Sequence, residues 1–215
     1  MDNIWTILLA AGASVRMGEP KLLLPYGAKT ILETVASAAT EVTGEQVMVV
    51  LDERQEDIRR KVQKLQLTYT FNPDPSRGML SSVICGLDAL PENAAAFFLF
   101  LGDQPQVQAK VAQNLKAAWL ANPGGILLPV YGGKRGHPVL ISTRYKEEIK
   151  GLSPDNGLKG LMLRHPGEIR EVECGAPEIL RDIDTPADYR YETGLINHQE
   201  QKNQNKKPFK TRKSL

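Results

Sequence analysis

Two cations in a loop near the start of the chain, Arg16 and Lys21, and two carboxylates far downstream, Asp103 and Asp184, are the side chains best suited to chemistry on a polyphosphate. The cations belong to T-I-L-L-A-A-G-A-S-V-R-M-G-E-P-K, residues Thr6 to Lys21, in which the apolar run Ile7–Ala11 reads as a buried strand that breaks at Gly12. A strand that ends in glycine, alanine and serine leaves several backbone N–H groups facing one small volume, with no bulky Cβ to keep an anion away. The P-loop spacing is absent, because Gly18 is followed by Glu19, Pro20 and only then Lys21. The dinucleotide fingerprint G-x-G-x-x-G is absent too, since Ala13 and Ser14 follow Gly12, and a plain oxidoreductase is not expected.

Asp103 directly follows F-F-L-F-L-G, and a carboxylate at the end of so apolar a run is costly unless something positive meets it. It either caps the next helix or binds Mg²⁺, an ion that keeps several waters and takes one or two carboxylates plus phosphate oxygens. Asp184, in D-I-D-T-P, supplies a second carboxylate if Ile183 points inward; Asp182 competes for that role. Together, a cationic glycine loop and two carboxylates at strand ends describe a nucleoside triphosphate with one bridging metal. No serine, cysteine or histidine stands out as a covalent nucleophile. His137, in the basic loop G-G-K-R-G-H-P, is the one candidate base, in a setting suited to a second anionic substrate; a structural histidine before proline is the alternative.

These residues need a scaffold, and the chain alternates apolar runs with helical patterns. Runs at Gln46–Leu51, Leu67–Phe71, Ala95–Leu101 and Ile126–Val130 read as strands. Between them the spacing predicts helices over Ile31–Val42, Gln55–Leu65, Ser81–Leu90 and Val107–Ala121, the first opened by a Thr30/Glu33 capping box. Further strands are expected at Val139–Ile141 and Ile169–Glu173, a short helix at Tyr145–Gly151 and a last helix from Pro186 capped by Thr185. The expectation is a three-layer α/β/α sandwich with a mainly parallel sheet, which binds ligands at the carboxyl ends of its strands.

With 215 residues, 41% of them apolar, one domain is expected, spanning residues 1–196. The segment Asn197–Leu215 has six basic residues against one acidic, so it carries +5 of a total +2 and leaves the body at −3. Its composition predicts a solvated tail, and nucleic acid is not an expected partner. Two cysteines in unrelated contexts fit a reducing compartment, and no apolar run reaches the roughly 20 residues of a membrane span. The chain reads as a soluble, cytoplasmic protein.

L-A-A-G-A-S-V-R-M-G-E-P-K, G-D-Q-P, R-G-H-P-V and D-I-D-T-P-A-D, in this order over about residues 4–192, resemble the nucleotidyltransferases of the GT-A-like fold. The closest resemblance is to the molybdenum cofactor cytidylyltransferases, including the accessory homologues of xanthine dehydrogenase. It implies that the first motif wraps the triphosphate of CTP, with Leu9, Ala10, Ala11 and Gly12 against the nucleotide and Arg16 and Lys21 on its phosphates. It further implies Mg²⁺ on Asp103 and Asp184, and places Arg77 and Ser82 near the base. A molybdopterin-type acceptor then falls to Gln104, Arg135, His137 and Asp155. Ala11, Pro20 and Gln104 stand where guanylyltransferase relatives typically read L-A-G-G, x-D-K and G-D-M-P. The stretch S-P-D-N-G-L-K-G departs from the family's G-D-x-G-A-R, with Leu158 and Lys159 for Ala and Arg. Two alternatives remain open at this point: the same chemistry with GTP or another phosphorylated acceptor, and a non-catalytic carrier that delivers cofactor to a molybdenum hydroxylase apo-enzyme.

Overall fold

Burial on both faces turns the apolar runs into strands and amphipathic runs into the helices that cover them. A computed structural model describes residues 3–14 and 16–205, the side chains of 197–205 excepted. Strands are numbered β1 (Ile4–Leu9), β2 (Pro25–Tyr26), β3 (Lys29–Thr30), β4 (Val47–Asp52), β5 (Thr68–Asn72), β6 (Ala96–Leu101), β7 (Ile126–Tyr131), β8 (Lys134–Arg135), β9 (Val139–Ser142) and β10 (Ile169–Glu173). Helices are α1 (Ile31–Thr43), α2 (Glu56–Lys64), α3 (Met79–Ala89), α4 (Ala109–Ala121), α5 (Lys146–Lys150), α6 (Gly157–Arg164) and α7 (Pro186–Asn205).

The main sheet runs β10-β7-β9-β6-β1-β4-β5, with β8 paired to β7. β1 lies between β4 and β6, parallel to both, and β10 pairs parallel with β7. Only β9 and the short β8 run against the others, β9 being inserted antiparallel between β6 and β7. The period of two along each strand divides the core. Leu8, Val49, Leu51, Phe98 and Leu127 pack with α1, α2 and α4 on one face. Ile7, Met48, Val50, Phe97, Leu99 and Leu128 pack with α3, α5 and α6 on the other. This is the expected three-layer α/β/α sandwich. Among the described residues no helix is long and apolar enough to cross a membrane.

The expected elements are present with shifted ends. β1 begins at Ile4 and stops at Leu9, so Ala10 and Ala11 are buried loop residues rather than strand. After Lys21 the chain forms a small hairpin, β2 and β3, which has no apolar signature of its own. Thr30 and Glu33 form the reciprocal capping box: Glu33 N donates to Thr30 Oγ1 at 3.2 Å and Thr30 N donates to the Glu33 carboxylate at 2.7 Å. α7 opens on a second reciprocal cap, Thr185 with Asp188. Its backbone stays helical through Asn205, past the boundary expected at residue 196. Extending an existing helix avoids the cost of nucleation, so composition alone does not stop it. The rest of the basic segment, 206–215, lies outside the described residues.

Candidate active site

The register of β1 with β6 sets the site. Leu9 pairs with Leu101, so both strands release the chain at the same level. Gly102 N then donates to Leu9 O at 2.9 Å, and a Cβ on Gly102 would lie 2.6 Å from that oxygen. Only glycine permits this approach, which delivers Asp103 beside the loop that follows β1. Asp103 does not cap the next helix, because α4 starts at Ala109 behind Gln108. Its carbonyl instead accepts from Ile183 N at 2.9 Å, and the Ile183 side chain is fully buried. That anchors D-I-D-T-P next to Asp103. Asp184 N and Thr185 N both donate to Asp188 Oδ2, at 3.2 and 2.7 Å, which fixes the turn that presents Asp184.

Lys21 joins the two carboxylates. Its backbone N donates to Ser14 Oγ at 3.2 Å, and its side chain is only 10% exposed. Nζ donates to Asp103 Oδ2 at 2.8 Å and to Asp184 Oδ1 at 2.9 Å. Arg16 reaches the other oxygen of Asp184, Nη1 to Oδ2 at 2.9 Å, from a rim position that is 72% exposed. Burial works against the Lys21 charge, yet Asp103 and Asp184 outweigh it and hold the ammonium above its ordinary pKa. Lys21 in turn keeps the Asp184 carboxyl below the usual carboxylate range. The exposed Asp182 takes no part in these ion pairs. Partial desolvation, then the like charges of Asp184 and Asp103, push its carboxyl up.

A cavity of about 320 Å³ opens over these groups, lined by Gly12, Ala13, Ser14, Arg16, Lys21, Asp103 and Asp184. Ser14 holds φ +50°, and its carbonyl accepts from Met17 N at 3.0 Å, closing a tight turn over the buried Met17. A second hollow of about 280 Å³ shares Ala13 and Ser14 and reaches Gln55. Gln55 Nε2 donates to Gly12 O at 3.0 Å while its Oε1 is buried without a partner.

Arg16, Lys21, Asp103 and Asp184 are thus in contact, with Gly12 in the same cavity wall. Ala10 and Ala11 lie buried behind it, Ala10 N donating to Val50 O at 2.9 Å, and Leu9 ends the strand. Arg77 is exposed at the end of a turn after β5, and Ser82 is buried with its Oγ accepting from Asn72 Nδ2 at 2.9 Å. Gln104 is buried next to Asp103. Arg135 is exposed and paired with Glu171 at 2.7 Å, and Asp155 is exposed ahead of α6. His137 is partly buried. Burial pushes its imidazole down, against the backbone of Leu99 and the field of Asp103, and its Nδ1 has no partner. Neither Ser14 nor Gln55 is among the residues that the sequence points to as binding groups. The S in G-A-S-V was the available signal for Ser14, whereas nothing local marks Gln55.

Two carboxylates from separate segments aimed at one cation form a donor set that suits Mg²⁺, with phosphate oxygens and water completing the shell. Among the described residues no group of three or more His, Cys, Asp or Glu is arranged to hold a metal.

Residues 6–169 match the model of the MobA-like NTP transferase domain. The molybdenum cofactor cytidylyltransferase of Escherichia coli K12 is 31% identical over 88% of this chain and 95% of its own. The nicotine blue oxidoreductase of Paenarthrobacter nicotinovorans is 28% identical over 83% and 91%. Among solved structures, Rv0371c of Mycobacterium tuberculosis in complex with manganese superposes with a TM-score of 0.71 at 27% identity, over 89% of this chain and 98% of that one. A strand-end loop, two carboxylates and a family match that spans most of the sheet agree: the chain belongs to the MobA-like NTP transferases and is a nucleotidyltransferase.

Proposed function

We propose that this nucleotidyltransferase moves CMP from CTP to the phosphate of a molybdopterin-type cofactor, in the cytoplasm, in support of a molybdenum hydroxylase. The observation that carries the reading is the Lys21 ammonium held between Asp103 and Asp184 under a phosphate-sized cavity walled by the Gly12–Ser14 backbone. The choice of CTP and of the pterin rests on the name of the Escherichia coli relative and on Ala11, Pro20 and Gln104.

The acceptor phosphate oxygen attacks the α-phosphorus of CTP in line. A new P–O bond forms, the bond to the β-phosphate bridging oxygen breaks, and pyrophosphate leaves with the electron pair. The nucleophile is already anionic, so no strong base is required, and His137, whose imidazole burial pushes down, serves to position the acceptor. Asp103 and Asp184 would hold Mg²⁺, which neutralises phosphate charge when bound. Lys21 and Arg16 align the triphosphate and stabilise the charge that builds on the leaving group. The resemblance assigns Arg77 and Ser82 to the base, and Gln104, Arg135 and Asp155 to the acceptor.

Pyrophosphate release, measured with CTP and with GTP in the presence and absence of the molybdopterin-type acceptor, tests this. Release that needs both CTP and the acceptor is expected. Turnover with GTP alone would replace the base assignment, and cofactor delivery to a hydroxylase without any turnover would make the protein a carrier.

A further inference from the structure

We propose that Lys21 is a resident counter-cation: it occupies the metal's seat in the nucleotide-free protein and vacates it only when a triphosphate offers its ammonium a new partner. The inference rests on the metal assignment just made and adds a competition within it. Lys21 Nζ stands 2.8 Å from Asp103 Oδ2 and 2.9 Å from Asp184 Oδ1. A magnesium-sized ion bound to both carboxylates would need oxygens at about 2.0–2.1 Å. Seated between Asp103 Oδ2 and Asp184 Oδ1, the pair of oxygens that Lys21 already draws together, the ion would take the space of the ammonium. Both charge-assisted hydrogen bonds of Lys21 then break before the ion is held there.

Metal alone gives Lys21 little in exchange. The side chain is nine-tenths buried under the cavity wall of Gly12, Ala13 and Ser14; of the two further carboxylates that feel its charge, Asp188 is already held by Asp184 N and Thr185 N, and Asp182 is exposed and in no ion pair with Lys21. A triphosphate in that cavity supplies anionic oxygens within reach of the flexible four-carbon stem. Displacement is then repaid, and metal and nucleotide bind with positive coupling that is reciprocal by linkage. Arg16 differs: it touches Asp184 from the solvent side through the other oxygen, and leaves the seat itself open.

Mn²⁺ binding, followed by the paramagnetic signal of the free ion, separates these roles in the full chain with and without a non-hydrolysable CTP analogue. Lys21→Met and Lys21→Gln are expected to bind Mn²⁺ alone at least about tenfold more tightly than the unmodified protein, within the usual range of coupling energies. Arg16→Met, which removes an equal charge from the rim, is expected to stay within about threefold, as an exposed ion pair contributes little. The analogue should strengthen Mn²⁺ binding by the unmodified protein and do so far less in the Lys21 variants. If both Lys21 variants bind Mn²⁺ no more tightly than the parent, or Arg16→Met tightens it equally, the counter-cation role is wrong. Asp103→Asn distinguishes that failure from a deeper one. Mn²⁺–analogue binding that survives Asp103→Asn overturns the metal assignment itself, whereas its loss supports that assignment whatever the Lys21 variants do.

Discussion

Asp103 ties two segments of the site together, since it meets Lys21 through its side chain and the Asp184 segment through its backbone. Replacing it with alanine removes a proposed metal ligand and leaves Lys21 with a single ion-pair partner, Asp184. We expect Asp103→Ala to lower cytidylyl transfer by at least about a hundredfold, the scale of a lost electrostatic stabiliser. His137→Ala should cost about tenfold or less, because the acceptor phosphate brings its own charge. Initial rates of pyrophosphate release decide between them; equal losses would return His137 to the chemistry. The residue types were legible in the sequence: a carboxylate after F-F-L-F-L-G has few structural excuses. Their pairing was not. Lys21 lies 82 and 163 residues from its two partners, and no local pattern encodes that meeting. Ser82 shows the converse, a hydroxyl placed by motif that Asn72 holds in the interior.

At the level of elements, glycines at the ends of β1 and β6 have opposite duties. Gly102→Ala must push its Cβ against Leu9 O, so we expect it to lower the melting temperature and to weaken nucleotide binding together as Asp103 shifts. Gly12→Ala meets nothing within 4 Å and should change unfolding by no more than about 0.5 kcal/mol, while its methyl in the cavity wall reduces nucleotide-dependent stabilisation. Denaturant titration with and without nucleotide reads both. The Thr30/Glu33 cap of α1 gives a pH signature. The Thr30 backbone N–H, then Lys61, lower the Glu33 pKa from its ordinary 4.5 to about 2. A depressed carboxyl contributes stability that is present above its unfolded pKa and lost as pH falls through its folded one. The unmodified protein should therefore exceed Glu33→Gln in stability above pH 4.5, with the gap closing between there and about pH 2. The cap was legible because T-x-x-E is a local signal. The antiparallel insertion of β9 was not, because V-L-I-S reads as a strand whatever its direction.

The choice of nucleotide is read on the stability of the whole molecule. Any nucleotide that binds the folded state alone raises its stability by mass action, about 2.7 kcal/mol at a hundred times its dissociation constant. With Mg²⁺ present, CTP should raise the melting temperature more than GTP, ATP or UTP at equal concentration; a larger shift with GTP would reverse the base assignment. The scaffold was legible because the central strands β1, β4 and β6 run parallel and bury both faces, which writes continuous apolar runs into the sequence, while the edge strands β5 and β10 are half exposed and alternate. What was not legible is how α7 is tied down: Tyr189 Oη donates to Pro25 O at 2.7 Å, and Arg181 pairs at 3.1 Å with the buried Glu192. These contacts hold the segment that carries Asp184, which lies beyond the residues matched by the family model. Order of synthesis follows from that placement. The phosphate loop leaves the ribosome first and Asp103 midway, but the second carboxylate comes only after the whole main sheet has been made. A growing chain halted at residue 180 should have a sheet to fold and fail to retain metal and nucleotide, measurable as nucleotide retention by stalled chains of increasing length. The site would thus remain silent until translation has passed Asp184, and unfinished molecules would not withdraw nucleotide from the cell.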